Sequence, residues 1–222
     1  GTKIMKIDKD TGEILKEGTM AGTSSFAINN STYAEGMILV GLSNGRIQAF
    51  NADTLESLWL YTDPLGGQPN CPITISNGYA YTGFWNSEIK GASFVCLSLT
   101  DEVPASKLEA KAETWRYVQK GGFYWAGAVK VGNYIYFGSD NGVLHYRSIA
   151  DFKNTGSTVT LPATNGTAAG NVRSTIMADG TDLYFTSQGG FLWCYSQGEN
   201  GVPSYKWNVA LGATSTSTPT KG

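Results

Sequence analysis

Histidine, cysteine and charge are scarce in this chain of 222 residues. His145 is the only histidine, there are three cysteines, and charged residues make up 15% of the sequence. A Ser–His–Asp or Cys–His mechanism would therefore have to use His145. The formal net charge of −2 provides no general electrostatic attraction for nucleic acid or an anionic membrane. No apolar run approaches the ~20 residues of a membrane span. We therefore expect neither nucleic acid binding nor membrane insertion.

Glycine is abundant, with 28 residues, and it marks a repeated pattern. The segment from Gly36 to Trp59 recurs in degraded form from Gly78, Gly132 and Gly180. Each copy has an alternating apolar run, a turn, a second alternating run and a polar break, which predicts a repeated antiparallel hairpin. The copies start roughly 40 to 55 residues apart, close to the length of a four-stranded propeller blade. Because one hairpin cannot bury both of its faces, we expect successive blades to pack on each other.

Two kinds of turn recur within the pattern. Asn44-Gly45 and Asn141-Gly142 predict type I′ turns, since both residue types tolerate positive φ. The second copy replaces this turn with a longer loop from Phe84 to Gly91. The stretches 8–12 and 51–55 predict a second shared turn. The first also resembles part of a calcium loop, but an EF-hand needs glycine at its sixth and glutamate at its twelfth position, so we favour a structural turn.

The second turn carries a family resemblance. Ala49, Asn51, Thr54 and Trp59 fall on the pattern AxDxxTGxxxW, with Leu55 in place of its glycine. This chain therefore resembles the PQQ-like repeat of quinoprotein dehydrogenases and of their cofactor-free relatives. The resemblance implies an all-β fold, a β-propeller of four-stranded antiparallel blades in which the tryptophan docks on the neighbouring blade.

The phase of the repeat indicates how the whole chain is organised. We expect residues 1–222 to form one propeller domain. Lys3–Leu15 corresponds to the last two strands of a blade, and Ala213–Pro219 to a first strand, as do Gly67–Ile73 and Gly122–Val129. We thus expect about four complete blades and a fifth split between the termini. Either the two ends meet and close the ring, or the chain is a piece of a larger propeller. We favour the piece, because members of the resembled family usually have seven or eight blades.

The repeat also informs the roles of the cysteines and the histidine. Cys96 and Cys194 align with Ala49 but in different blades, too far apart for a disulfide, which needs Cα atoms within ~7 Å. Cys71 has no evident partner, and no CxxC or Cys/His spacing is present. We expect buried structural thiols rather than redox or metal chemistry, and a packing or surface role for His145, which lies in mid-strand. No pair of carboxylates is singled out by the sequence for glycoside hydrolysis.

Aromatic residues offer the best candidate site. Phe123, Tyr124 and Trp125 fall on the predicted first strand of blade three, which in a propeller lines the axial channel. The candidate ligand or partner surface consists of Phe84, Trp85, Tyr124, Trp125 and Arg173. Aromatic rings beside an arginine suit stacking and hydrogen bonding to a peptide, a sugar or a planar ligand. The alternative is that these rings pack between blades.

Two functional hypotheses follow from the resemblance and the site. The first is a noncatalytic scaffold or binding module of an exported bacterial protein, extracellular or at the cell surface, that recognises a protein or carbohydrate partner and needs no cofactor. The second is a fragment of a PQQ-dependent quinoprotein dehydrogenase, which would hold PQQ and calcium at the axis. We favour the first, because the adjacent cysteine pair and the cofactor-stacking residues of many such enzymes are missing. Open blade edges also predict self-association.

Overall fold

The computed structural model describes residues 2–24, 31–101, 110–151 and 157–222. Within these ranges the chain forms nineteen β-strands and a single 3₁₀ turn, Glu199–Gly201. No helix in the described part is long and apolar enough to cross a membrane.

The N-terminal sheet and blade one begin the array. The N-terminal sheet has two antiparallel strands, β1 (Lys3–Ile7) and β2 (Ile14–Thr19). The strands of blade one, from the inner to the outer, are β3 (Thr32–Ala34), β4 (Met37–Leu42), β5 (Arg46–Asn51) and β6 (Ser57–Thr62).

Blades two to four repeat the antiparallel order of blade one. Blade two is β7 (Thr74–Ser76), β8 (Tyr79–Gly83), β9 (Gly91–Ser98) and β11 (Trp115–Lys120); β10 (Ala110–Lys111) lies between β9 and β11 in the chain but pairs outside this blade. Blade three is β12 (Val129–Val131), β13 (Tyr134–Ser139), β14 (Val143–Ser148) and β15 (Ser157–Thr160). Blade four is β16 (Met177–Asp179), β17 (Asp182–Ser187), β18 (Phe191–Gln197) and β19 (Pro203–Ala210). Each blade has four antiparallel strands, β10 adds a fifth strand to the sheet of blade one, and a two-stranded sheet precedes the blades; this agrees with the predicted propeller architecture.

Strand β10 was not predicted. It leaves blade two and pairs in parallel with β6, at the outer edge of blade one. Its Lys111 is buried, forms an ion pair with Asp101 and lies 5.4 Å from the ring centroid of Trp59. The insertion in blade two therefore covers the edge strand of blade one, which shields that edge from pairing with other strands.

The two recurring turns form as predicted. Asn44 and Gly45 both have positive φ, as do Asn141 and Gly142, which type I′ turns require. In the other turn, Asp8 and Asn51 each accept backbone N–H groups from the residues two and three positions later, at 2.8 to 2.9 Å. These hydrogen bonds hold the pKa of the exposed Asp8 carboxyl below its ordinary value. Leu55 has the left-handed φ of +57° where the motif has glycine.

Tryptophan pairs with a small residue at the same place in three blades. Trp59 lies opposite Ala49, Trp115 opposite Cys96, and Trp207 opposite Cys194. A small side chain on the third strand leaves room for the large ring on the fourth strand. This confirms the sequence alignment of both cysteines with Ala49.

Blade faces pack against each other to form the core. One apolar cluster joins blades one and two, a second joins blades two and three, and a third joins blades three and four. A smaller cluster joins Ile4 and Met20 of the N-terminal region to Phe50 of blade one. Stability therefore accumulates between neighbouring blades, as in repeat proteins.

The first strand of each blade was predicted at the wrong position in the sequence. Residues 122–128 are irregular, with a bend at residues 124–125, and β12 begins only at Val129. Residues 67–73 likewise precede β7, with an isolated bridge between Gln68 and Trp85. Residues 213–219 form no strand, and Ser217 accepts a hydrogen bond from the Thr186 hydroxyl of blade four. The apolar alternation of these segments reflects burial at the inner end of each blade, which irregular backbone also provides.

Candidate functional site

Connections from three blades converge at one end of the sheets. The loop between β8 and β9 supplies Trp85 and Glu88, the turn after β13 supplies Asp140, and the inner segments before β12 and β16 supply Tyr124 and Arg173. The loops between second and third strands and the segments that enter first strands emerge on the same side of every blade. We call Trp85, Glu88, Tyr124, Asp140 and Arg173 the Arg173 cluster.

A buried ion pair forms the centre of the Arg173 cluster. Nε of Arg173 donates to Oδ1 of Asp140 at 2.9 Å, and Nη2 donates to Oδ2 at 2.7 Å. This is the bidentate arrangement that suits arginine and a carboxylate. Nη2 also lies 3.3 Å from Oε1 of Glu88, whose side chain is exposed. The hydrogen bonds to Asp140 raise the pKa of Arg173 above its ordinary value despite burial.

Two aromatic rings enclose the arginine. Cζ of Arg173 lies 4.8 Å from the ring centroid of Tyr124 and 6.0 Å from that of Trp85, within range of a cation–π interaction. The two rings meet edge to face at 4.8 Å, and the Trp85 indole donates to Oδ2 of Asp140 at 3.2 Å. The cluster therefore ties blades two, three and four together.

The other two predicted site residues lie differently. Phe84 is fully buried and stacks on Tyr61 at 6.4 Å, so it belongs to the core between blades one and two and does not reach the surface. Trp125 is half-buried, with its ring 4.3 Å from that of Tyr124. Its φ of +58° is unusual for a bulky residue, and its indole nitrogen is buried with no acceptor among the described residues.

Neither carboxylate of the Arg173 cluster was predicted from the sequence. Asp140 directly precedes the Asn-Gly turn of blade three, and Glu88 lies in the long loop of blade two. A charged residue at the end of a buried strand was the available signal for Asp140. Because one cation faces two carboxylates, the cluster has a net negative charge and its arginine fork is already engaged. This environment favours neutral hydroxyl-rich or cationic groups over anions.

The cysteines and His145 are buried. All three cysteines are free and inaccessible, as expected, and burial raises the pKa of the Cys71 and Cys96 thiols to about 12. His145 is fully buried and stacks on Phe137 at 4.9 Å, which confirms a packing role. No group of three or more histidine, cysteine or acidic residues able to hold a metal ion occurs in the described ranges.

No known family profile matches this sequence, and no curated protein matches it significantly. Solved structures nevertheless share the fold. BamB from Moraxella catarrhalis is 15% identical with a TM-score of 0.66, and the match covers 93% of this chain and 58% of BamB.

Two dehydrogenases match similarly. The quinohemoprotein alcohol dehydrogenase ADHIIG from Pseudomonas putida HK5 is 13% identical with a TM-score of 0.67, over 94% of this chain and 39% of its own. The quinohemoprotein alcohol dehydrogenase from Comamonas testosteroni is 12% identical with a TM-score of 0.66, over 94% and 40%. The chain thus spans less than two thirds of the length of these proteins. At such identities the similarity shows the β-propeller fold alone.

Proposed function

We propose that this chain is a noncatalytic β-propeller binding module of an exported bacterial protein, extracellular or at the cell surface, and a piece of a larger propeller. It recognises a protein or carbohydrate partner through the face that carries the Arg173 cluster. The observation that supports this proposal is the convergence of loops from three blades on that one cluster. Loops held by a rigid scaffold are where binding residues concentrate.

The chemistry of the face supports a partner with hydroxyl or basic groups. The rings of Trp85 and Tyr124 are half-buried and held edge to face, so they offer stacking area at little cost in side-chain entropy. The exposed carboxylate of Glu88 lies beside them, and Ile89 at the tip of the same loop is 78% exposed. Sugars stack on aromatic rings, and basic peptides complement carboxylates.

The alternative, a fragment of a PQQ-dependent dehydrogenase, rests on the shared fold of the two quinohemoprotein enzymes. An anionic quinone needs a cation available to its carboxylates. Arg173 is the only guanidinium in the cluster, and both its Nε and Nη2 already donate to Asp140. The cluster therefore favours the noncatalytic hypothesis.

The test uses tryptophan fluorescence and calorimetry on the whole chain. The probes are neutral oligosaccharides, a library of basic peptides, and PQQ with calcium. We expect saturable binding of a sugar or peptide that weakens at least tenfold in Tyr124→Ala. Tyr33→Ala, at a tyrosine 68% exposed on β3, is the matched control and should bind normally. Saturable micromolar PQQ binding that is lost in Arg173→Ala would overturn the proposal in favour of the dehydrogenase.

A further inference from the structure

Asn165-Gly166 is one of five Asn-Gly pairs in the chain, all of which lie in the described ranges. The other four are Asn44-Gly45, Asn77-Gly78, Asn141-Gly142 and Asn200-Gly201. Asparagine before glycine is chemically unstable, because glycine has no side chain to hinder attack by its own backbone nitrogen on the preceding amide. All ten residues have positive φ. The local backbone conformation is therefore alike in the five pairs, and their surroundings distinguish them.

Two of the other pairs are held through the glycine nitrogen. The backbone nitrogen of Gly45 donates to the carbonyl oxygen of Gly67 at 2.7 Å. That of Gly201 donates to the carbonyl oxygen of Gly198 at 3.2 Å. Both glycines are buried, and Gly201 packs against the ring of Tyr134. A nitrogen that is covered and hydrogen-bonded reaches the neighbouring side chain only after local opening of the fold.

The remaining two pairs are held through the asparagine side chain. Nδ2 of Asn141 donates to the carbonyl oxygen of Lys120 at 3.0 Å. Oδ1 of Asn77 accepts a hydrogen bond from Nζ of Lys130 at 3.4 Å. The glycines that follow are buried and half-buried, respectively. These contacts restrict the rotation that would bring the side-chain amide to the following backbone nitrogen.

Asn165-Gly166 has neither restraint. The pair forms the tip of a turn between β15 and β16, closed by two backbone hydrogen bonds of 2.9 Å between Thr164 and Thr167. Both residues of the pair are exposed, and Gly166 is the only exposed glycine of the five. Within the described ranges, neither the Asn165 side chain nor the Gly166 nitrogen forms a hydrogen bond. A Cβ on Gly166 would meet no atom within 4 Å.

We propose that Asn165 is a site of spontaneous deamidation in the native protein. The backbone nitrogen of Gly166 forms a bond to Cγ of Asn165, and the bond from Cγ to Nδ2 breaks. The proton of the attacking nitrogen leaves with Nδ2 as ammonia, and the product is a cyclic succinimide. Water then opens the ring at either carbonyl group, which gives aspartate or isoaspartate at position 165. Water is the only co-reactant, and no group is oxidised or reduced.

The experiment incubates the whole native chain at mildly alkaline pH, where the attacking nitrogen loses its proton more readily. Peptide mapping by mass spectrometry follows the five Asn-Gly peptides over time and separates isoaspartate from aspartate. We expect Asn165 to convert at least about tenfold faster than each of the other four asparagines, because they react only after local opening. In denaturant all five should convert at similar rates, which provides the internal control.

A pair of glycine variants tests the chemical route. Gly166→Ala adds a methyl group that meets no neighbouring atom but hinders the attacking nitrogen, so conversion of Asn165 should slow at least about tenfold. Gly180→Ala is the matched control, because Gly180 is also exposed, has a φ of +61° and has open surroundings. It should leave the rate at Asn165 unchanged.

Three results would overturn the proposal. The first is a native protein in which Asn165 converts no faster than the other four asparagines. The second is a Gly166→Ala variant that converts as fast as the wild type. The third is formation of aspartate without isoaspartate, since opening of a succinimide gives both.

Discussion

Trp59 and Trp207 occupy equivalent positions in blades one and four but have different surroundings. Each lies on the fourth strand opposite a small residue, Ala49 or Cys194. Trp59 is 1% exposed within the core shared with blade two, whereas Trp207 is 39% exposed and contacts Tyr184 of its own sheet at 6.0 Å. The same local structure thus gives a buried ring only where a neighbouring blade covers it. We conclude that docking between blades, more than the individual blade, determines stability.

The opposite end of the array shows the same contrast. The face of the N-terminal sheet towards blade one packs Ile4 against Phe50. Large apolar residues elsewhere in this sheet remain about half exposed: Met5, Ile7, Ile14 and Leu15. Both end sheets of the described array therefore expose apolar surface of the kind that is buried between its interior blades, and exposed apolar surface is a feature of interaction sites.

The largest loss of stability is expected for a mutation that disrupts the packing between blades one and two. Trp59→Ala should lower the free energy of unfolding by ~3 to 5 kcal/mol, as large truncations in a core do. The matched Trp207→Ala should cost about 1 kcal/mol, since its ring retains much of its exposure in the folded state. Chemical denaturation of both variants gives the comparison. Equal losses would show that the two rings contribute alike and that docking is not the cause.

Much of this comparison was predictable from sequence, because it depends on local pattern. The repeated glycines, the Asn-Gly turns and the spacing from Asn51 to Trp59 predicted blades, turns and the buried ring. Partnerships between blades were not predictable. Asp140 pairs with Arg173 across two blades, and β10 crosses to β6, because packing between distant segments sets these contacts. The core position of Phe84 has the same origin.

The next effect concerns charge at an interior junction. Asp140→Asn leaves Arg173 without its buried carboxylate and should destabilise the protein by ~3 kcal/mol, as breaking a buried ion pair does. Asp182→Asn is the matched change on blade four, where Asp182 pairs with Lys206 at 2.7 Å and both side chains are partly exposed. That pair should contribute much less to stability, because water and salt screen the attraction between exposed charges. Urea unfolding at two salt concentrations measures both losses. A larger loss of stability in Asp182→Asn than in Asp140→Asn would contradict this prediction.

Acid should destabilise the junction of blades two and three. His145, at this junction, has its pKa lowered from 6.5 to about 3 by burial and then by the charge of Arg147. Below pH 6.5 the unfolded chain binds a proton that the folded chain excludes, so stability falls as the pH drops towards 3. The slope approaches ~1.4 kcal/mol per pH unit. His145→Gln should remove this component from the pH profile of unfolding; an unchanged profile would place the proton elsewhere.

The smallest expected effect is on self-association through the exposed apolar faces of the N-terminal sheet and of blade four. We expect the chain to self-associate weakly at high concentration, and Trp207→Ser to reduce that association without changing the fold. Sedimentation equilibrium measures it, with Tyr33→Ser as the control for loss of an exposed ring on β3. Association that persists unchanged in Trp207→Ser would exclude the open face of blade four as the contact.

Hydrogen exchange tests the central claim most directly, because it reports opening free energies strand by strand in the native protein. We predict slow exchange in β5, β9 and β13, which lie between covered faces, and fast exchange in residues 3–15, in the outer strand β19 and in residues 213–219. The measurement requires a sample shown to be monomeric by sedimentation. Strong protection of both ends in that monomer would mean that the termini meet and close the ring, and it would contradict the claim that stability comes mainly from the interior junctions.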